Sequence, residues 1–396
     1  MKFSKKVLEN GLTILHEERD VPVTTIMLAT KFGSAYESEG NKGIAHFIEH
    51  LCFKGTKNRT TQQIAFDVEK IGGILNAFTD EEVTAYHAKI PSNQLAIAME
   101  VIFDIFCNPT FPADEVKRES QVICEEIKMY KDHPRAFVMD KLKGNMYEKP
   151  FGMFIAGTEE TVMSFTRDSL VEIHQRIYAP ENSILCVVGK NGIAEVEALA
   201  KKYCVSKKFG KLANPAPTKK ITSNKEIRPG IEQASVAIGF HFPVASSQDR
   251  YAAEVLNAIF GEGMSSKLFT EVREKRGLAY AVKTELVLGS NYGYLAIYVG
   301  TDKKKVDEVI KICVEEFHKM GEISAKELAD GKTQLLGNKK VGSEGSGETA
   351  INLILEEIIG NAEDYYVYDV EVKKVTLDEI KKLANIEEYS YSVLSP

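Results

Sequence analysis

The sequence predicts an α+β protein made of two similar units, each a mainly antiparallel sheet covered by helices on one face. Three observations lead there. The chain has 396 residues, which suits two cores of roughly 200 residues better than one. Strand-like and helix-like periodicities alternate along it. The second half also echoes the first. Residues 99–106 (Met-Glu-Val-Ile-Phe-Asp-Ile-Phe) match 306–313 (Val-Asp-Glu-Val-Ile-Lys-Ile-Cys) in pattern, and 113–116 match 325–328, an offset of 325 − 113 = 212. A duplicated unit is the simplest account.

In chain order, residues 12–17 and 24–32 read as strands, being rich in β-branched and apolar side chains. Segments 43–54 and 61–71 carry the helical period, and 83–90 returns to strand until Pro91 stops it. Residues 92–108 and 112–132 read as long amphipathic helices. Pro112 opens the second, where a fixed φ and a missing N–H cost nothing. A buried strand is expected at 183–189. The second half supplies strands at 234–242, 278–287 and 292–300, with helices at 250–260, 265–275, 304–320 and 325–340. Periodicity breaks over 207–230, where Pro215, Pro217, Pro229 and several lysines fall. The expected division is therefore a first unit at 1–212, a linker at 213–230 and a second unit at 231–396.

Composition narrows the function classes. With 44% apolar and 27% charged residues the chain is neither disordered nor fibrous. Its net charge of −7 argues against general nucleic-acid binding, which needs a basic face. No 18-residue uncharged apolar run occurs, so no membrane span is expected. Residues 1–20 have early lysines but no apolar stretch after them, unlike a secretory signal. Cys52, Cys107, Cys124, Cys186, Cys204 and Cys313 form no C-x-x-C pair and read as small apolar residues in a reducing compartment. A cytoplasmic protein is the expectation.

The chemistry concentrates in His46-Phe-Ile-Glu49-His50. On a helix, positions i and i+4 share a face, so both imidazoles reach one ion with the Glu49 carboxylate beside them. This H-x-x-E-H order is that of the inverted zincins, in which zinc polarises a scissile carbonyl and Glu accepts the proton of the attacking water. The apolar neighbours Ile44, Ala45, Phe47, Ile48 and Leu51 weigh against a merely solvated polar helix. A catalytic zinc takes a third protein ligand. Segment 112–132 offers Glu115, Glu119, Glu125 and Glu126. Glu119 and Glu126 lie two turns apart on one face, but spacing alone leaves a solvated acidic stripe equally open.

These residues carry a resemblance. Together with Leu8-Glu-Asn-Gly-Leu12, the runs 43–56, 73–77 and 119–130 are similar to the M16 (pitrilysin-like, inverzincin) zinc metallopeptidases. The resemblance is in particular to short bacterial members related to the mitochondrial processing peptidase β subunit. The resemblance implies the M16/LuxS-like metallopeptidase fold, one Zn2+ per chain, Glu126 as third metal ligand and Glu119 as an acidic helper. It implies that Asn76, Ala77 and Phe78 form an exposed strand edge to which an extended peptide adds by main-chain hydrogen bonds. It further implies that Arg273 and Tyr280, from the second unit, hold the substrate carbonyl and its developing negative charge, for which a guanidinium and a phenol are suitable donors. Arg276 misses the family spacing and ranks lower. Residues 250–260 contain no His and Asn338 stands opposite Glu126 under the 212-residue offset, so only the first unit is expected to bind metal.

The resulting expectation is a zinc-dependent endopeptidase that hydrolyses peptides or short unfolded segments inside a clamshell chamber. Because the zinc motif and the Arg/Tyr pair occur in one chain, a homodimer with an active site shared between subunits is expected. Two rivals remain: a dedicated precursor-processing peptidase, and a catalytically weak structural or assembly subunit. A nucleotide-binding enzyme is disfavoured, since Lys326 stands where a phosphate loop ending at 331–333 would need its first glycine.

Overall fold

A computed structural model describes residues 2–204, 208–210 and 212–396; Met1 and Lys207, where the readings of the amino terminus and of the joint begin, lie outside them. The chain forms two units, each built on one sheet.

The sheet of the first unit contains β1 (Lys2–Val7), β2 (Thr13–Glu18), β3 (Val23–Thr30), β4 (Ile74–Thr79), β5 (Thr84–Pro91) and β6 (Ser183–Gly189). Their spatial order is β1-β2-β6-β3-β5-β4, and only the β2–β6 pair is parallel. Strand alternation sends Ile14, Ile26, Leu28, Tyr86, Leu185 and Val187 to one face and Leu15, Met27, Ala29, Ala85, Cys186 and Val188 to the other. Central strands buried on both faces read as continuous apolar runs, which is why β3 and β6 were legible. The main helical layer covers the first face with α1 (Ile44–Cys52), α2 (Thr61–Glu69), α3 (Leu95–Cys107) and α4 (Ala113–Asp132). Ala350, Leu353 and Ile354 of the helix Ser346–Ile359 cover the second face.

The second sheet contains β7 (Ser223–Ile227), β8 (Ala234–His241), β9 (Ala279–Leu288), β10 (Gly293–Thr301) and β11 (Tyr389–Ser395), in the order β7-β11-β8-β10-β9. Only the β7–β11 pair is parallel. Val236, Ile238 and Phe240 pack with Val255 and Leu256 of the helix Arg250–Gly261 and with Val309 and Phe317 of the helix Val306–His318. The helix α5 (Pro134–Met146) lies against β8 and β11. A Cβ on Gly239 would stand 2.4 Å from Met146 Sδ, so glycine permits that approach.

Both units therefore match the expected fold class, with one addition. Each sheet carries a further helix besides the main layer, and that helix comes from across the expected division. The first unit includes Gly342–Tyr365, and the second includes Lys128–Met153. A sheet whose two faces are apolar needs cover on both. The expected helix at 265–275 is a π-helical segment, Phe269–Lys275. Among the described residues, no helix is long and apolar enough to cross a membrane.

Candidate metal centre

The start of α1 is fixed before its polar residues come into play. Gly43 has φ 95°, and a Cβ there would meet the Ala156 carbonyl oxygen at 2.3 Å. Left-handed backbone in a tight contact requires glycine. The first-turn N–H groups of Gly43 and Ala45 donate to the Glu37 carboxylate at 3.0 and 2.8 Å, satisfying donors that a helix leaves open. Lys42, fully buried, lies 3.6 Å from the same carboxylate and donates to the Ser34 carbonyl at 2.7 Å. Phe47, Ile48 and Leu51 anchor the apolar side of the helix in the core.

The opposite side presents His46, Glu49 and His50, all half-buried. The two imidazole centroids are 4.6 Å apart. On α4, Ile123 and Ile127 point to the core while Glu119 and Glu126 face α1. Glu115 pairs with Arg118, and Glu125 is exposed, so the four-carboxylate ambiguity resolves in favour of a split set. Glu126 Oε2 is 3.8 Å from His46 Nε2 and 3.7 Å from His50 Nε2. These separations exceed a hydrogen bond and leave space for an ion that takes ligands at ~2.0–2.2 Å. Among the described residues, His46, His50 and Glu126 are the one group of this kind, with ligand atoms within 4.8 Å of one another.

The donor chemistry fits zinc. Two imidazoles and a carboxylate are a known catalytic ligand set for that ion, and the ligands must be unprotonated. Burial, with the neighbouring His50, pushes the His46 imidazole down to about 4. Glu119 is 2% exposed. One of its oxygens meets His50 Nδ1 at 3.1 Å and the other meets Lys54 Nζ at 2.8 Å. Burial alone would raise Glu119, but hydrogen bonds from His50 and Lys54 outweigh it and hold the carboxyl below its ordinary range. An ionised carboxylate only accepts, so the His50 proton sits on Nδ1 and the Nε2 lone pair faces Glu126. Burial raises Glu49, opposed by a hydrogen bond from Thr79 and by His50.

β4 is the outermost strand of its sheet. Asn76 is exposed and accepts from the Ala77 N–H at 2.8 Å, and Phe78 lies 6.3 Å from the His87 ring. Beside β4 lies a cavity of about 310 Å³ lined by Phe53, Ile64, Ala65, Gly73 and Leu75 among others.

Arg273 and Tyr280 belong to the second unit. The Arg273 guanidinium donates to the Tyr280 carbonyl at 3.0 Å and lies over the Phe269 ring at 4.8 Å. The Tyr280 side chain is exposed and rests against Gly300, where an added Cβ would stand 2.9–3.0 Å from the ring and hydroxyl. Arg276 is tied to Glu271 instead. Under the 212-residue offset, His50 and Glu126 correspond to Glu262 and Asn338. Those two are joined directly, Asn338 Nδ2 donating to Glu262 at 3.3 Å. Sequence reasoning missed Lys54 and Thr79; a lysine just past a helix end and a threonine at a strand end carry no pattern of their own.

Comparison with known proteins bears on this geometry. Residues 13–159 match the family model described as insulinase (peptidase family M16), and residues 164–335 match the M16 inactive domain. A relative in Bacillus subtilis, named an uncharacterized zinc protease, is 34% identical over 98% of this chain and 95% of its own. The chain belongs to the M16 peptidase family. A Rickettsia felis relative of this M16 chain, also named an uncharacterized zinc protease, is 36% identical over 85% of this chain and 82% of its own. The M16 fold recurs in a crystal structure of a Helicobacter pylori protease, with TM-score 0.92 and 24% identity over 100% of this chain and 99% of that one.

Proposed function

We propose that this M16 chain is a zinc-dependent endopeptidase acting on peptides or short unfolded segments. The observation that carries the reading is the convergence of His46, His50 and Glu126 within 4.8 Å, with Glu49 on the same helix. His46, His50 and Glu126 would hold one Zn2+. Bound there, the ion would polarise the scissile carbonyl and acidify water.

Every other task falls to side chains. Glu49 takes the proton of the attacking water and passes it to the leaving amine. Glu119 keeps His50 in the tautomer that frees Nε2. An extended substrate pairs with the outer edge of β4 at Asn76, Ala77 and Phe78, which binds main chain without tight sequence choice. The cavity beside β4 receives an apolar side chain. Arg273 and Tyr280 supply donors to the carbonyl oxygen as charge develops on it.

The test is metal analysis of purified protein together with hydrolysis of an internally quenched peptide, with and without chelator. About one zinc per chain, loss of hydrolysis on chelation and its absence in Glu49→Gln are expected. Chelator-insensitive hydrolysis, or full activity in Glu49→Gln, would refute the reading.

A further inference from the structure

One contact of the candidate base is not explained by the roles above. Thr79 Oγ1 lies 2.6 Å from Glu49 Oε2. It also lies 3.3 Å from Thr84 Oγ1, its cross-strand partner in the β4–β5 pair. The Thr84 hydroxyl donates to the Phe32 carbonyl at 2.9 Å. A hydroxyl has one proton to give. The Thr84 proton is directed at Phe32, and an ionised carboxylate only accepts, so the Thr79 proton goes to Glu49 as a short charge-assisted bond and none is left between the two threonine oxygens. Thr84 is thus held by the Phe32 carbonyl and packs against Thr79 without sharing a proton, the β4–β5 pairing sets Thr79 in place, and Thr79 occupies one oxygen of Glu49.

We propose that Thr79 is a positioning residue for Glu49, fixing Oε2 so that Oε1 is presented to the attacking water. The inference rests on the reading of Glu49 as the base. It also assigns β4 a second task. Thr79 is the last residue of the edge strand whose residues 76–78 are proposed to pair with substrate. The strand that registers the peptide therefore also sets the direction of the base, and both act from one rigid element. A carboxylate with free torsions would otherwise sample several orientations, and misplacement by about 1 Å can cost ~10²-fold in rate.

The experiment compares Thr79→Val, which keeps the branched shape and removes the donor, with Thr79→Ser, which keeps the donor. With the quenched peptide and zinc-loaded protein, Thr79→Val lowers kcat roughly 10-fold or more, part of the ~10²–10⁴ typical of general acid–base catalysis, while KM stays put. Thr79→Ser restores most of kcat. Zinc affinity, read by competition with a chromogenic chelator, is unchanged in both. A metal-free readout accompanies these. In urea unfolding of the chelated protein, Thr79→Val and Glu49→Gln are non-additive, as expected of groups in direct contact. Unchanged kcat in Thr79→Val, failure of serine to rescue, or additive unfolding effects would each overturn the inference while leaving an active wild type intact. A wild type without chelator-sensitive hydrolysis would instead overturn the reading on which it rests.

Discussion

His50 and Glu119 are joined through His50 Nδ1 at 3.1 Å, and the other oxygen of Glu119 is held by Lys54 at 2.8 Å. A buried carboxylate that directs an imidazole is itself anchored by a lysine one turn beyond that imidazole. Partners of this kind contribute about 10–100-fold to metal affinity. Glu119→Gln should weaken zinc binding within that range, and Lys54→Met should weaken it toward the lower end, roughly 10-fold. Chelator competition measures both. Because Lys54 acts through Glu119, the double variant should bind no more weakly than Glu119→Gln alone, and additive losses would separate the two residues.

The Glu37–Lys42 pair should govern stability rather than chemistry. Both side chains are buried, and Glu37 accepts the N–H groups at the start of α1. Removing one member of a buried pair leaves an uncompensated charge, at a cost of about 3–5 kcal/mol. Glu37→Ala should accordingly lower the urea midpoint strongly in the metal-free protein. A shift no larger than that of an exposed control such as Glu125→Ala would show that the pair does not anchor the helix.

How much of this was legible in the sequence follows from where each signal resides. His46, Glu49 and His50 are local, all within one five-residue stretch of a helix, and helical geometry alone brings them together. Glu126 is 76 residues from His50 (126 − 50 = 76), and spacing, which puts it on one face with Glu119, could not tell a ligand from a solvated acidic stripe; the resemblance singled it out, and packing sets it beside the two imidazoles. Central strands β3 and β6 announced themselves through unbroken apolar runs, whereas edge strands such as β1 and β7 are exposed and polar and did not. The helices that cover the far faces were illegible as such, because an amphipathic pattern names no partner sheet. Thr79 and Lys54 matter only through what tertiary packing sets beside them.

Stability of the second unit should fall in acid partly through His241. Its Nε2 meets the Lys220 carbonyl at 3.0 Å, and burial holds its imidazole below the ordinary value. A depressed folded value means that the unfolded chain binds the proton more readily. The contribution is therefore present above ~6.5, the ordinary imidazole value, and is lost as pH falls through the folded value. His241→Asn should show a smaller drop in Tm between pH 7.5 and 5.5 than wild type; an equal drop would place the acid sensitivity elsewhere.

Gly300 should be required for the placement of Tyr280. A Cβ at Gly300 would lie 2.9–3.0 Å from the Tyr280 ring and hydroxyl, closer than packed atoms tolerate, so Gly300→Ala must displace the phenol. If the Tyr280 hydroxyl stabilises developing charge, Gly300→Ala and Tyr280→Phe should each reduce kcat by a factor approaching the ~10²–10³ attributed to one such donor. The two together should be no worse than either. Hydrolysis assays on all three variants, with zinc content checked, decide it, and an active Tyr280→Phe protein would remove Tyr280 from the proposed role.

The occurrence of the metal-ligand set and the Arg273/Tyr280 pair in a single chain leads to a proposal about assembly: two copies exchange these halves, so that the pair of one subunit serves the metal of the other. Complementation separates this from a self-sufficient chain. Glu49→Gln and Tyr280→Phe subunits are each defective in both arrangements. In a symmetric dimer with exchanged halves, a mixed pair combines an intact Glu49 from one subunit with an intact Tyr280 from the other at one of its two sites. Random equimolar mixing makes half of the dimers mixed, so about a quarter of sites should recover. Unfolding and refolding the variants together, followed by the peptide assay, should therefore give activity well above the average of the two alone. No gain, in material that sedimentation shows to be dimeric, would mean that each chain completes its own site.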